Sequence, residues 1–73
     1  MLYVQDWRAD VALIRRTAAM LRADPGCARR AGAVCDEDVT ALVAFLDLLA
    51  MQVPHLDPAV HREVVEACRV ALG

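Results

Sequence analysis

The segment VTALVAFLDLLAMQV, residues 39–53, decides the fold, because only Thr40, Asp47 and Gln52 in it are polar. Apolar residues spaced at i, i+3, i+4 and i+7 are typical of a helix that buries one face. The residues that follow this spacing are Val39, Leu42, Val43, Leu46, Leu49, Ala50 and Val53. Since Ala41, Phe45 and Leu48 widen the apolar surface further, this helix needs more cover than an ordinary surface helix.

A membrane-spanning role for this segment is disfavoured by its length and its charges. A spanning helix needs about 20 apolar residues, whereas residues 39–53 are fewer than that. Asp47 lies near the middle, where a carboxylate is costly inside a bilayer, and the acidic run 36–38 comes directly before it. We therefore expect a water-soluble protein with no membrane partner.

The composition favours one small helical domain over residues 1–73. The chain is 59% hydrophobic but only 4% aromatic, so its apolar mass is mainly Ala, Val and Leu, which suits helix–helix packing. A chain of this size folds alone only marginally and often gains stability by oligomerisation. Its net charge of −2 provides no general attraction for nucleic acid. The absence of lysine and the many Ala and Arg residues are typical of a GC-rich bacterial genome.

The N-terminal sequence MLYVQDWR predicts a cytoplasmic protein, and that location in turn predicts the state of the cysteines. Residues 1–8 contain neither a basic nor a long apolar region, so they do not predict a signal peptide. In a reducing compartment Cys27, Cys35 and Cys68 are expected to be free thiols. A Cys27–Cys35 disulfide is the alternative, because the loop between them is short enough to close.

Capping and breaking residues predict three helices at about 6–23, 37–53 and 58–72. Asp6, Asp36 and Asp57 are the expected N-caps, since a carboxylate accepts hydrogen bonds from the free N–H groups of a first turn. Pro25 and Pro54 end the first two helices. The segment 24–32 can add one short helical turn, with Pro25 at its first position and Gly32 at its end. Gly73 suits the end of the last helix.

The apolar faces of the outer helices predict an all-α three-helix bundle. Short connections make sequential helices antiparallel neighbours, and we expect the bundle to dimerise through its central helix. Arg62 and Glu66 are expected to form an ion pair on the solvent face of the last helix. The residues expected to face the core are Trp7, Val11, Ile14, Ala18 and Leu21 in the first helix, and Val60, Val64, Ala67, Cys68 and Ala71, with Val65 and Leu72 adjoining, in the last.

No pattern of residues predicts catalysis, a cofactor or a metal site. The sequence has no Gly-rich phosphate loop, no His-Glu-x-x-His and no Gly-x-Ser-x-Gly, so a non-enzymatic protein is expected. The spacings among His55, His61, Cys27, Cys35 and Cys68 differ from those of structural zinc sites. A Cys/His metal sensor is kept as the weaker of two alternative functions, and no residue is assigned as a metal ligand.

The stronger alternative is a small dimeric DNA-binding regulator or an antitoxin-like protein. Its candidate contacts form an arginine-rich edge made of Arg15, Arg16, Arg22, Arg29 and Arg30. A recognition helix carries polar and basic residues, whereas here the central helix is the most apolar part of the chain. Nucleic acid is therefore possible but disfavoured.

The function that the sequence favours is protein–protein interaction. A large exposed apolar surface marks a site where another polypeptide binds, and the central helix has more apolar surface than its two neighbours can cover. We expect an accessory, adaptor or regulatory subunit that binds a second copy of itself or a helix of another protein. The predicted contact residues are Phe45, Leu48, Met51, Leu13 and Met20.

Overall fold

The computed structural model describes residues 7–73, and within that range the chain is helical with no β-strand. The predicted all-α class is therefore confirmed. Residues 1–6, including the predicted cap Asp6, lie outside the described range. The elements are α1 (Trp7–Ala23), α2 (Pro25–Arg30), α3 (Asp36–Gln52), a 3₁₀ turn (Val53–His55) and α4 (Pro58–Leu72).

The three long helices begin and end close to the predicted residues, but the count of three is one too few, because the segment 24–32 contains α2. Asp24 starts α2 by accepting a hydrogen bond from the Gly26 N–H at 2.9 Å. At its other end the Ala33 N–H donates to the Ala28 carbonyl at 2.9 Å and the Gly32 N–H to the Arg29 carbonyl at 3.0 Å. This Schellman arrangement needs a left-handed residue, which Gly32 supplies at φ +92°.

The predicted caps of α4 are confirmed, but that of α3 is not. Asp57 accepts a hydrogen bond from the Ala59 N–H at 2.9 Å, and Gly73 ends α4 at φ +93°. At α3 the prediction was wrong, since Cys35 is the cap residue and makes no side-chain capping bond. Asp38 instead accepts a hydrogen bond from the Val34 N–H at 2.9 Å, because its position in the first turn lets the carboxylate reach back past the helix start.

The element at the centre of the fold is α1, although residues 39–53 have the stronger apolar pattern. Helix α1 packs against α2, α3 and α4, whereas α3 packs mainly against α1 and the 3₁₀ turn. Within α1, Ile14, Thr17, Ala18 and Leu21 are buried. A helix with partners on three sides must bury a wide face, and α1 does so with side chains of small and medium size.

The core consists of two clusters of mostly small residues. One joins α1, α2, the beginning of α3 and the end of α4, and its buried members are Ala18, Leu21, Cys27, Ala28, Ala33, Val43 and Ala71. The other contains Ile14, Ala50, Val53 and Cys68. Because small side chains bury little apolar area each, the core gains only a modest hydrophobic stabilisation.

The backbones of α3 and α4 make almost no contact with each other. The prediction that these sequential helices would pack as neighbours was therefore wrong. Both pack on α1, and between them the 3₁₀ turn buries Val53 and leaves Pro54 and His55 exposed. The short connection thus brings α4 back onto α1 and leaves a gap between α3 and α4.

Candidate partner-binding groove

The face that α4 turns toward α1 differs from the predicted one. The residues of α4 that are buried are His61, Val65, Cys68 and Ala71. Two members of the predicted stripe, Val60 and Ala67, are exposed, and Val64 is half-buried. The buried face of α4 is therefore rotated away from the predicted stripe, which leaves much of that stripe without a partner helix.

A partly buried polar pair joins α1 to α4 in this orientation. The Nε2 atom of His61 lies 2.7 Å from Oδ2 of Asp10, and the two side chains are 9% and 23% exposed. A buried imidazole without a hydrogen-bond partner is costly, so this contact favours the rotation that turns His61 toward α1. The sequence pattern did not reveal the pair, because its members lie 51 residues apart.

A second polar contact lies beneath the gap. The Thr17 hydroxyl is buried and donates a hydrogen bond to the Leu13 carbonyl at 2.8 Å. The Cys68 thiol lies beside it. Burial raises the pKa of Cys68, a hydrogen bond with Thr17 partly lowers it, and the nearby Cys27 raises it further. Cys68 is therefore held as a neutral thiol.

The gap forms an open groove of about 530 Å³ with largely apolar walls. Leu42, Phe45, Leu46 and Leu49 of α3 line one wall, and Val64, Ala67 and Val70 of α4 line the other. Thr17 and Leu21 of α1 form the floor. The arrangement offers two helical walls and a helical floor, which is the shape that an additional helix fills.

Charged residues lie at the rim and at one end of the groove. Glu63 and Glu66 line its α4 side. Arg30 lies at one end, where its Nε donates to the Ala71 carbonyl at 2.9 Å and its Nη2 to the Leu72 carbonyl at 3.4 Å. Arg30 therefore satisfies carbonyl groups that the last turn of α4 would otherwise leave free.

The five predicted contact residues fall into two groups. Phe45, Leu48 and Met51 are 57%, 54% and 70% exposed, and of these Phe45 also lines the groove. Leu13 and Met20 are half-buried and pack against the two core clusters. These two residues therefore support the core from α1, which is the reason that their exposure was overestimated.

Several groove residues were assigned to the core by sequence reasoning. Leu42, Leu46 and Leu49 are only half-buried, and Ala67 is exposed. The signal that would have identified them is the presence of apolar residues on two faces of both α3 and α4, since one face alone is enough to cover α1.

The arginine-rich edge of the DNA-binding alternative is only partly available. Arg15, Arg16, Arg22 and Arg29 are exposed, and none of these four forms an ion pair within residues 7–73. The fifth member, Arg30, is hydrogen-bonded to α4 and lies 3.9 Å from an Asp24 carboxylate oxygen. The edge therefore consists of exposed side chains on α1 and α2.

The Cys and His residues form no metal-binding group in the described range. Within residues 7–73 no three or more His, Cys, Asp or Glu side chains are arranged to hold a metal ion. His55 is exposed and His61 contacts Asp10. All three cysteines are free thiols, Cys35 exposed and the others buried. Burial raises the pKa of Cys27, with Arg30 lowering it and Asp24 raising it to a smaller extent.

Helix α3 with its 3₁₀ extension, Asp36–His55, is long and apolar enough to cross a membrane by length and composition alone. A core helix of a soluble protein meets the same criterion. Asp47, exposed near its middle, argues against insertion.

No protein-family model, curated protein or solved structure matches the chain.

Proposed function

We propose that this protein is a non-catalytic interaction module that binds an amphipathic helix of another protein in the groove between α3 and α4. The observation that carries the proposal is the groove itself, with Phe45, Leu46 and Ala67 on facing walls. Apolar grooves between helices bind partner helices through side chains spaced at i, i+3 or i+4, and i+7.

Site-specific photocrosslinking in cells of the source organism tests this function. A photoreactive phenylalanine analogue in place of Phe45 puts the reactive group in the groove with little added bulk, whereas the same analogue at Arg62, exposed and outside the groove lining, is the control. We expect one covalent adduct with a different polypeptide from position 45 and none from position 62. Equal labelling from both positions, or no adduct from position 45, contradicts the proposal.

Self-association through α3 is part of the same proposal. Leu48 and Met51 are exposed large hydrophobic residues outside the groove lining, and together with Phe45 they form a ridge that a second copy can cover by two-fold symmetry. The double variant Leu48→Gln with Met51→Gln is expected to shift sedimentation from dimer to monomer. Val34→Gln, at an exposed apolar residue outside α3, is expected to leave the dimer intact.

The alternatives have weaker structural support. The DNA-binding role rests on exposed arginines, one of which is already bound to the end of α4. The metal-sensor role rests on Cys and His residues that form no cluster in residues 7–73. Neither alternative accounts for the apolar walls of the groove.

A further inference from the structure

The charge around the groove favours one class of partner helix. Glu63 and Glu66 lie three residues apart on α4, so they share one side of that helix. The predicted pairing of Glu66 with Arg62 is absent, since no ion pair joins these two residues in the described structure. Helix α3 adds no compensating charge, because Asp36–Gln52 contains no Arg or Lys.

The cation at the groove is already engaged. The Arg30 guanidinium donates to the carbonyls of Ala71 and Leu72 at the C-terminal end of α4, and it lies 3.9 Å from the Asp24 carboxylate. The C-terminal end of a helix carries partial negative charge, so Arg30 balances that end and Asp24. The two glutamates at the rim therefore present a net negative charge to a ligand.

A second copy of the chain fits this charge poorly. The helix of a second copy that exposes the largest apolar side chains is α3, and it contains Asp36, Glu37, Asp38 and Asp47. Placing that helix in the groove brings its carboxylates toward the acidic rim, and like charges brought together at an interface oppose association.

We propose that the groove binds an amphipathic helix of a different protein, one whose apolar stripe is flanked by Arg or Lys residues that face Glu63 and Glu66. This inference rests on the proposed function and adds the chemistry of the partner. The α3 wall runs from Leu42 to Leu49, roughly 10 Å at 1.5 Å per residue. The partner therefore inserts apolar side chains from about two helical turns.

Binding of two synthetic peptides to the full chain tests the inference. Both are amphipathic helices of about 18 residues, long enough to be helical, with the same Leu and Ala stripe. One has Arg and the other Glu on the flanks. By fluorescence anisotropy at low salt we expect the Arg peptide to bind about tenfold more tightly, because charge complementarity discriminates between partners, and we expect added salt to reduce that preference.

Two charge-matched variants locate the preference. E63Q/E66Q removes two carboxylates from the rim and is expected to abolish most of the preference for the Arg peptide. E37Q/D47N removes two exposed carboxylates of α3 that do not line the groove and is expected to preserve it. An equal loss in both variants overturns the inference, because the preference would then follow net charge alone.

The remaining outcomes separate this inference from the function on which it rests. If both peptides bind equally well and Ala67→Trp blocks them, the groove binds helices but the basic partner is overturned. If Ala67→Trp dissociates a dimer of the wild-type chain, the occupant is a second copy, which also overturns the inference. If the wild-type chain adsorbs to zwitterionic vesicles and Ala67→Trp abolishes that adsorption, the groove binds a lipid surface, which also overturns the inference. Binding of neither peptide contradicts both proposals.

Discussion

At the scale of single residues, the least expected positions are the polar ones in the core. Thr17 is 2% exposed and His61 is 7% exposed, although both interrupt apolar stripes. Each has a hydrogen-bond partner, Thr17 in the preceding turn of its own helix and His61 across the interface with α1. Buried polar groups are tolerated when they are bonded in this way.

Replacing Asp10 with Ala is expected to destabilise the fold. The change leaves the His61 imidazole buried beside α1 without its 2.7 Å contact, and an unsatisfied buried group costs about 1–3 kcal/mol. Urea denaturation monitored by circular dichroism measures the loss. Asp47→Ala, at an exposed residue, is the control and is expected to change the free energy of unfolding much less; equal effects of the two substitutions would contradict the assignment.

Stability is expected to fall in alkaline solution because of Cys27 and Cys68. Burial raises the pKa of both thiols in the folded state, whereas in the unfolded chain a thiol has an ordinary pKa of about 8.5. Below that pH both states hold the proton and the free energy of unfolding is unaffected by these groups. Above it the unfolded state releases protons that the folded state retains, so the folded state loses stability as pH rises.

The pH effect is measurable by urea denaturation between neutral pH and about pH 10, near the upper end of ordinary thiol titration. The chain contains no lysine, which removes the side chain that most often titrates in the same range. In Cys27→Ala and Cys68→Ala the slope of stability against pH is expected to be shallower than in the wild type. Cys35→Ala, at an exposed thiol, is expected to keep the wild-type slope.

At the scale of the elements, the turn after α2 depends on a single backbone conformation. Gly32→Ala is expected to destabilise the protein by about 1–2 kcal/mol, since an L-residue with a Cβ is strained in the left-handed region. Apart from the neighbouring residues 31 and 33, no atom of residues 7–73 lies within 4 Å of the added Cβ, so the cost is conformational. Gly32→Asn is expected to cost less, because Asn adopts this region more readily. Thermal denaturation of the two variants gives the comparison.

Local sequence signals predicted where the long helices begin and end, and periodicity predicted most of the buried face of α1 but not the face that α4 buries. Pro25, Asp57 and Pro58 act within a few residues of themselves, so their effects can be read from sequence. The rotation of α4 involves His61 and Asp10, which are distant in the chain. The cap of α3 was misplaced by one residue because three consecutive acids, 36–38, compete for that role.

The candidate site was predictable only in outline. The excess of apolar surface on residues 39–53 indicated an uncovered side, and Phe45, Leu48 and Met51 are indeed exposed. The groove was not predictable, because it depends on the separation of α3 from α4. Periodicity within one helix contains no information about the distance between two helices, so Ala67 and Leu49 were assigned to the core.

At the scale of the whole molecule, α1 joins two sides that otherwise meet mainly through side chains of the two core clusters. Helix α3 packs on one side of it, and α2 and α4 pack on α1 and on each other. The Arg30 hydrogen bonds to Ala71 and Leu72 strengthen the second side only. A helix bound in the groove would contact both walls and would join the two sides directly.

This asymmetry has a consequence for hydrogen exchange. Helix α1 packs against every other helix, so its amides are expected to exchange only when the whole protein unfolds, whereas the outer helices exchange through partial openings that cost less free energy. Native-state exchange followed by NMR is expected to show the greatest protection in α1, around Ile14 and Ala18. A peptide in the groove is expected to slow exchange in α3 and α4 far more than in α1, because such a ligand contacts both walls and holds them together.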